Sequence, residues 1–101
     1  NSMADLVRMS SEVIAAMRMS ATKPTRENRV QWFLEGMIEH HGGALQMAHE
    51  ARKNSSNPTI LRLAREIIVA QRKEIIELRK MLQSKGMNKP DYYKFDGLFA
   101  L

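Results

Sequence analysis

The stretch that decides the fold is residues 30–53, which read VQWFLEGMIEHHGGALQMAHEARK. Apolar residues recur in it at spacings of three and four, the pattern of one helix face at about 100° per residue. The predicted stripe consists of Val30, Phe33, Met37, His40, His41, Ala44, Met47, Ala48 and Ala51. The spacing therefore predicts a long amphipathic helix with two adjacent histidines on its apolar side.

Breaks on both sides of this helix predict two further helices. Pro24 interrupts the chain before it, because proline and its predecessor disfavour helix. The run Asn54–Pro58 interrupts the chain after it, and Asn57 or Ser56 is placed to cap the next helix. Gly86 is a typical residue to follow a helix end. The expected helices are about residues 2–19, 26–53 and 58–84.

Residues 87–101 have few helix signals but contain Tyr92, Tyr93, Phe95 and Phe99. This tail is too apolar to extend into water, so we expect it to dock on its own bundle or on a neighbouring chain. The chain, residues 1–101, is thus predicted to be a single all-α domain. It would be a bundle of three main amphipathic helices with a C-terminal aromatic tail.

The third predicted helix has an apolar stripe that two polar residues interrupt. The stripe consists of Ile60, Leu63, Ala64, Ile67, Gln71, Glu74, Ile75, Leu78, Met81 and Leu82. The basic residues of the opposite face are Arg62, Arg65, Arg72, Lys73, Arg79 and Lys80. A carboxylate buried at the position of Glu74 needs a partner, because an unpaired one is costly.

Counting from the turn between the second and third helices suggests that partner. Short connections make consecutive helices antiparallel, and His41 and Glu74 both lie about 15 residues from the turn, so they should face each other. We expect His40, His41, Gln71 and Glu74 to converge inside the bundle. The pair Gly42-Gly43 would allow close approach of a helix or ligand beside the histidines, with a helix break as the competing interpretation.

Composition excludes several classes of protein. The chain has 101 residues, no cysteine and a net charge of +5. Disulfides and thiolate metal sites are therefore excluded, and no apolar run reaches the roughly 20 residues that span a bilayer. Glu66 and Glu77 interrupt the basic face without interleaved aromatics, which favours a solvated surface and no nucleic-acid partner. Without HExxH or paired Glu-x-x-His motifs, no familiar catalytic pattern supports an enzyme.

The segment from Phe33 to Ala48 resembles the signature of a bacterial domain of unknown function, number 305, roughly F-x-x-x-M-I-P-H-H-x-G-A-x-x-M-A. That family continues with A-x-x-I-x-x-x-Q-x-x-E-I. The matches to this second pattern are Ala64, Ile67, Gln71, Glu74 and Ile75. The resemblance covers about residues 30–82 and implies a ferritin-like helical bundle. Some members resemble periplasmic or secreted copper- and silver-binding proteins, which implies that location here, with any export signal removed before Asn1.

Four positions depart from the family's pattern. Glu39 replaces the proline before the histidine pair, and Gly42 stands where glutamine is frequent. Leu78 stands where methionine is frequent, and Met81 where tryptophan is common. The missing methionine on the third helix weakens the implication of metal binding.

Together with the resemblance, the residue types favour a non-catalytic domain that binds Cu(I) or Ag(I), because thioether and imidazole donors suit soft ions. The expected ligands are His40, His41, Met37 and Met47. Gln71 and Glu74 would hold the imidazoles in place. The alternative is a structural or protein-interaction domain, in which the histidines, Gln71 and Glu74 form a buried polar network without metal and the methionines fill the core.

The amount of apolar surface also predicts an assembly. Three amphipathic helices leave one side of a bundle uncovered, and a chain of this length buries that surface poorly alone. We therefore expect a homo-oligomer, most simply a dimer, in which a second copy completes a four-helix arrangement.

Overall fold

The computed structural model describes residues 24–101, and over this range the chain is helical without any strand. Helix α1 spans Arg29–Asn54, and helix α2 spans Pro58–Ser84. Two short 3-10 helices follow, Pro90–Tyr93 and Asp96–Leu98. The all-helical class is confirmed for these residues.

Local capping explains where α2 begins and ends. The Asn57 side chain accepts hydrogen bonds from the first two free backbone amides of the helix, at 2.9 and 3.3 Å, and Pro58 occupies the first helical position. At the other end, Gly86 has a φ of +81°, the left-handed conformation that lets the backbone fold back onto the last turn. The predicted limits of this helix, about 58–84, are confirmed.

The start of α1 is set by a turn just before it. The backbone amide of Thr25 donates to the Asn28 side chain at 2.7 Å, and the amide of Asn28 donates to the Thr25 hydroxyl at 3.3 Å. This reciprocal pair closes residues 25–28 into a turn, so α1 begins at Arg29, three residues after the predicted start. The helix predicted at residues 2–19 lies outside the described residues.

The two helices pack antiparallel along apolar residues spaced by three, four and seven. The buried core residues are Leu34, Ile38, Leu45 and Ala48 on α1, Ala64, Ile68, Ile75 and Leu82 on α2, and Tyr92 and Phe95 after α2. Seven-residue spacing is how paired helices keep one face in contact. Within residues 24–101, no helix is long and apolar enough to cross a membrane.

The structure corrects the predicted apolar stripe of α1. Val30, Phe33 and Met47 are exposed by 50%, 53% and 55%, whereas Leu34 and Leu45, which the prediction omitted, are buried. The error is physical in origin, because α1 has two apolar stripes side by side. The sequence pattern does not say which of them meets α2.

A second correction concerns Arg79, which the prediction placed on the solvated basic face. It is 8% exposed, and its guanidinium donates to Asp96 at 2.6 Å and to the backbone carbonyl of Tyr92 at 3.4 Å. The guanidinium carbon also lies 4.4 Å from the centre of the Tyr93 ring. Arg79 therefore anchors the residues that follow α2.

Residues 87–101 pack along one side of the hairpin. The Tyr92 and Phe95 side chains are 4% and 2% exposed, and the Phe95 ring lies against Gly42 of α1. Lys94 forms an ion pair with the buried carboxylate of Glu39. The tail thus contributes two of its aromatic residues to the core.

We predict that Gly42→Ala destabilises the protein, because its Cβ would overlap the ring carbons of Phe95. Overpacking of this kind costs about 1–3 kcal/mol. The matched control is Gly36→Ala, also inside α1, where an added Cβ meets nothing within 4 Å and helix propensity should raise stability by up to about 1 kcal/mol. Urea unfolding of both variants checks this. Equal stability of the two would contradict it, and Phe95→Leu should partly rescue Gly42→Ala.

We also predict that acid weakens the docking of the tail through Glu35. The Tyr92 hydroxyl donates to Glu35 at 2.6 Å, and the Lys89 ammonium lies 3.2 Å away. Burial alone would raise the pKa of Glu35, but these two donors outweigh it and hold that pKa below its usual 4.5.

A folded-state pKa below the unfolded one stabilises the native state above pH 4.5 and loses this contribution as pH falls through the folded value. Glu35→Gln should lower stability at neutral pH and flatten its decline in acid. Unfolding curves at a series of pH values measure both effects. Glu66→Gln, which changes an exposed carboxylate, is the control. If the free energy of unfolding of Glu35→Gln fell with pH as steeply as that of the parent, this account would be contradicted.

Candidate functional site

The His41 side chain is held in place by hydrogen bonds at both of its ring nitrogens. Its Nδ1 donates to the backbone carbonyl of Met37 at 2.7 Å, and its Nε2 lies 2.5 Å from Oε1 of Glu74 on α2. A backbone carbonyl can only accept, so Nδ1 carries the hydrogen of the first bond, and Nε2 shares a hydrogen with the Glu74 carboxyl in the second. His41 and Glu74 meet as their equal distance from the turn predicts.

The pair lies at the edge of the hairpin core. The His41 side chain is 9% exposed, whereas that of Glu74 is 54% exposed. The prediction of a buried Glu74 is therefore wrong: the carboxylate reaches the buried imidazole from a solvated position. Solvent reduces the cost of the charge on Glu74, so the contact joins α1 to α2 without burying a carboxylate.

His40 points away from this pair. It is exposed, as expected for a residue about 100° around the helix from His41. Gln71 is half-buried on α2, one turn before Glu74, and makes no hydrogen bond to His41. Of the four residues predicted to converge, the structure brings together His41 and Glu74 and separates His40 from them.

The two methionines named as ligands lie on the same side of α1 as His40. Met37 is three residues before His40 and half-buried, and Met47 is seven residues after it and 55% exposed. Residues three or seven apart share a helix face, and side chains lean toward the N-terminus. His40 and Met47 therefore share one row of the α1 surface, and Met37 lies on the neighbouring row, about 60° around the helix from His40.

Clusters of histidine, cysteine and carboxylate side chains are the commonest metal sites in proteins. Among residues 24–101, no three histidine, cysteine, aspartate or glutamate side chains are grouped so as to hold a metal ion.

His49 and Glu39 have roles that sequence reasoning missed. His49 Nε2 donates to the backbone carbonyl of Leu98 at 2.8 Å, and Glu39 pairs with Lys94. Both partners lie in the tail, which has no regular periodicity. The departure of Glu39 from the family's proline was the one sequence signal that pointed here.

We predict that two adjacent histidines differ sharply in their effect on stability. His41→Ala removes both hydrogen bonds and should cost about 1–3 kcal/mol in the free energy of unfolding. His40→Ala, on an exposed position of the same turn, should cost less. Chemical denaturation without added metal measures both. Similar losses in the two variants would show that the His41 contacts are not the source of stability.

The comparisons with known proteins agree with the sequence pattern. One curated relative, described as uncharacterized protein L153 of Acanthamoeba polyphaga mimivirus, is 36% identical over 55 residues. The matched stretch covers 54% of this chain and 36% of that protein. No solved structure matches the chain significantly. Residues 30–93, which include α1, α2 and the first 3-10 helix, match the family described as Domain of unknown function (DUF305), and the chain belongs to that family.

Proposed function

We propose that this chain is a non-catalytic domain that binds a soft monovalent ion, Cu(I) or Ag(I), on the outer side of α1. The observation that carries the proposal is the placement of Met37 and His40 three residues apart on one side of α1, with His40 exposed. Cβ atoms at this spacing are about 5–6 Å apart. A thioether and an imidazole from one helical turn can therefore approach a common ion.

The chemistry of these donors fits soft ions. Thioether and imidazole suit Cu(I) and Ag(I), whereas Mg²⁺ and Ca²⁺ take oxygen ligands. Met47, one of the exposed methionines, adds a second thioether two turns further along the same side. The proposed ligand set is thus His40 and Met37, with Met47 as an additional donor.

His41 has a different role in this proposal. Both of its ring nitrogens are engaged, one by the Met37 carbonyl and one by Glu74, so it would ligate an ion only after giving up one of these contacts. We therefore propose His41 as a positioning residue that fixes the turn containing Met37 and His40. Glu74 holds His41, and Gln71 lies beside this contact.

The ferritin-like bundle that the resemblance implies is also part of the proposal. The α1–α2 hairpin, with its short connection and seven-residue spacing, is the half-unit from which four-helix bundles are built. The remaining helices would come from residues outside 24–101 or from another copy.

A second candidate function is supported by the His41–Glu74 contact itself. An imidazole held at both nitrogens is also what a purely structural network requires, in which case the domain serves packing or protein interaction without metal. The two candidates differ in their response to soft ions.

We predict that saturating Ag(I) raises the melting temperature of the parent protein. An ion that binds only the native state adds about 2.7 kcal/mol at 100 times its Kd, which is on the order of 10 °C for a domain of this size. Met37→Leu and His40→Gln should each remove most of the shift, and Met47→Leu should reduce it. Thermal melts in chloride-free buffer, with and without Ag(I), measure this.

Met81→Leu is the matched control, since Met81 is 52% exposed on α2 and its loss should leave the shift intact. Leucine for methionine costs under about 1.5 kcal/mol, so the variants should stay folded. The combined change His40→Ala with His41→Ala should abolish the shift. No shift of the melting temperature in the parent protein would favour the second candidate, a structural network without metal. An undiminished shift in Met37→Leu and His40→Gln would mean that the ion binds elsewhere.

A further inference from the structure

One side of the α1–α2 hairpin carries large exposed apolar side chains from both helices. We define this open face by its seven largest members, Val30, Phe33 and Met47 on α1, and Ile60, Leu63, Ile67 and Met81 on α2. Each is between 38% and 55% exposed. The tail packs on a different side of the hairpin, where it contacts Gly42 and Arg79.

The α1 half of the open face follows a repeat of seven residues. Phe33 and Met47 lie seven residues before and after His40, and Val30 begins a parallel row that continues with Met37 and Ala44. This repeat is separate from the one that packs on α2. Two adjacent apolar rows on one helix are the pattern of a helix with two helical neighbours.

The α2 half repeats in the same way. Ile67 and Met81 lie seven residues before and after Glu74, and Ile60 lies seven before Ile67. Because Glu74 contacts His41 at the border of the core, this row lies on the same side of the hairpin as the α1 row. The open face is therefore two helices wide and matches a partner made of helices.

The size of the open face suits a stable interface. Its seven apolar members together expose roughly 500–600 Å², the upper end of the largest apolar patch on ordinary monomers. With the polar groups between them, the face approaches the roughly 800 Å² per partner of a standard specific complex.

One polar pair can form across the borders of the open face. At 100° per residue, the outer border of the face on α1 holds His40, and that on α2 holds Glu77. If the two-fold axis runs along the hairpin, α1 of one copy packs on α2 of the other at the same height. His40 then lies opposite the border that carries Glu77, since Glu77 is three residues from Glu74.

We propose that the open face is the interface of a homodimer, in which the hairpins of two copies pack face to face as a four-helix bundle. This interface does not depend on the proposed ion, because apolar contacts supply it. It shares Met47 with the proposed ion site and adds a surface of α2 that the site leaves out.

The test is sedimentation equilibrium of the full chain in chelator, over micromolar to millimolar concentration. The expected mass is twice 11.6 kDa. Phe33→Lys and Leu63→Lys should each weaken dimerisation at least about ten-fold, as central apolar contacts do. The matched controls Val69→Lys and Ile76→Lys replace side chains that are 42% and 37% exposed on the outer side of α2, and they should leave the dimer intact. Circular dichroism checks that all four variants fold.

A monomeric parent at the highest concentration would overturn the proposal, as would open-face variants that dimerise as well as the parent. A second measurement distinguishes a second copy from the other possible occupant of the open face, residues 1–23. The chain has no cysteine, so Leu63→Cys supplies a single thiol. Its reaction with a thiol reagent should slow as protein concentration rises. A thiol protected at every concentration in a monomer would mean that the chain covers its own face.

Discussion

The packing of α1 against α2 along two repeats of seven residues is the interaction on which the rest of the structure depends. The chain has no cysteine, so apolar contact holds the helices together; each fully buried leucine or isoleucine contributes about 1.5–3 kcal/mol. The same contact sets the position of the polar pair. His41 lies four residues before buried Leu45, and Glu74 lies next to buried Ile75, so any packing that buries these apolar residues brings the imidazole and the carboxylate together.

The C-terminal tail explains two departures from the family's signature. Glu39 stands where the family has proline, and Gly42 where it often has glutamine. Glu39 pairs with Lys94, and Gly42 leaves the space that the Phe95 ring fills. Both substitutions lie beside the histidine pair and both meet the tail. The signature turn of α1 is therefore adapted on one side to this tail, while His41 keeps its contact with Glu74 on another.

Local signals made the limits of α2 and the His41–Glu74 contact predictable. Asn57 and Gly86 act through hydrogen bonds or backbone geometry a few residues away, and two straight helices with a short turn fix relative height by counting. The apolar face of α1 was not predictable, because both of its stripes are periodic and only the partner helix distinguishes them. The burial of Arg79 was not predicted for a related reason. Its partners lie in the tail, whose contacts do not recur at regular spacings along the sequence.

The tail is held by its backbone as well as by its side chains. His49 donates to the carbonyl of Leu98, Arg72 donates to that of Phe99, and Arg79 donates to that of Tyr92. Every residue has a backbone carbonyl, so these three hydrogen bonds do not depend on which side chain the tail residue carries. Substitutions along the tail therefore leave these three hydrogen bonds in place, whereas a change at Tyr92, Lys94, Phe95 or Asp96 also removes a side-chain contact with the helices.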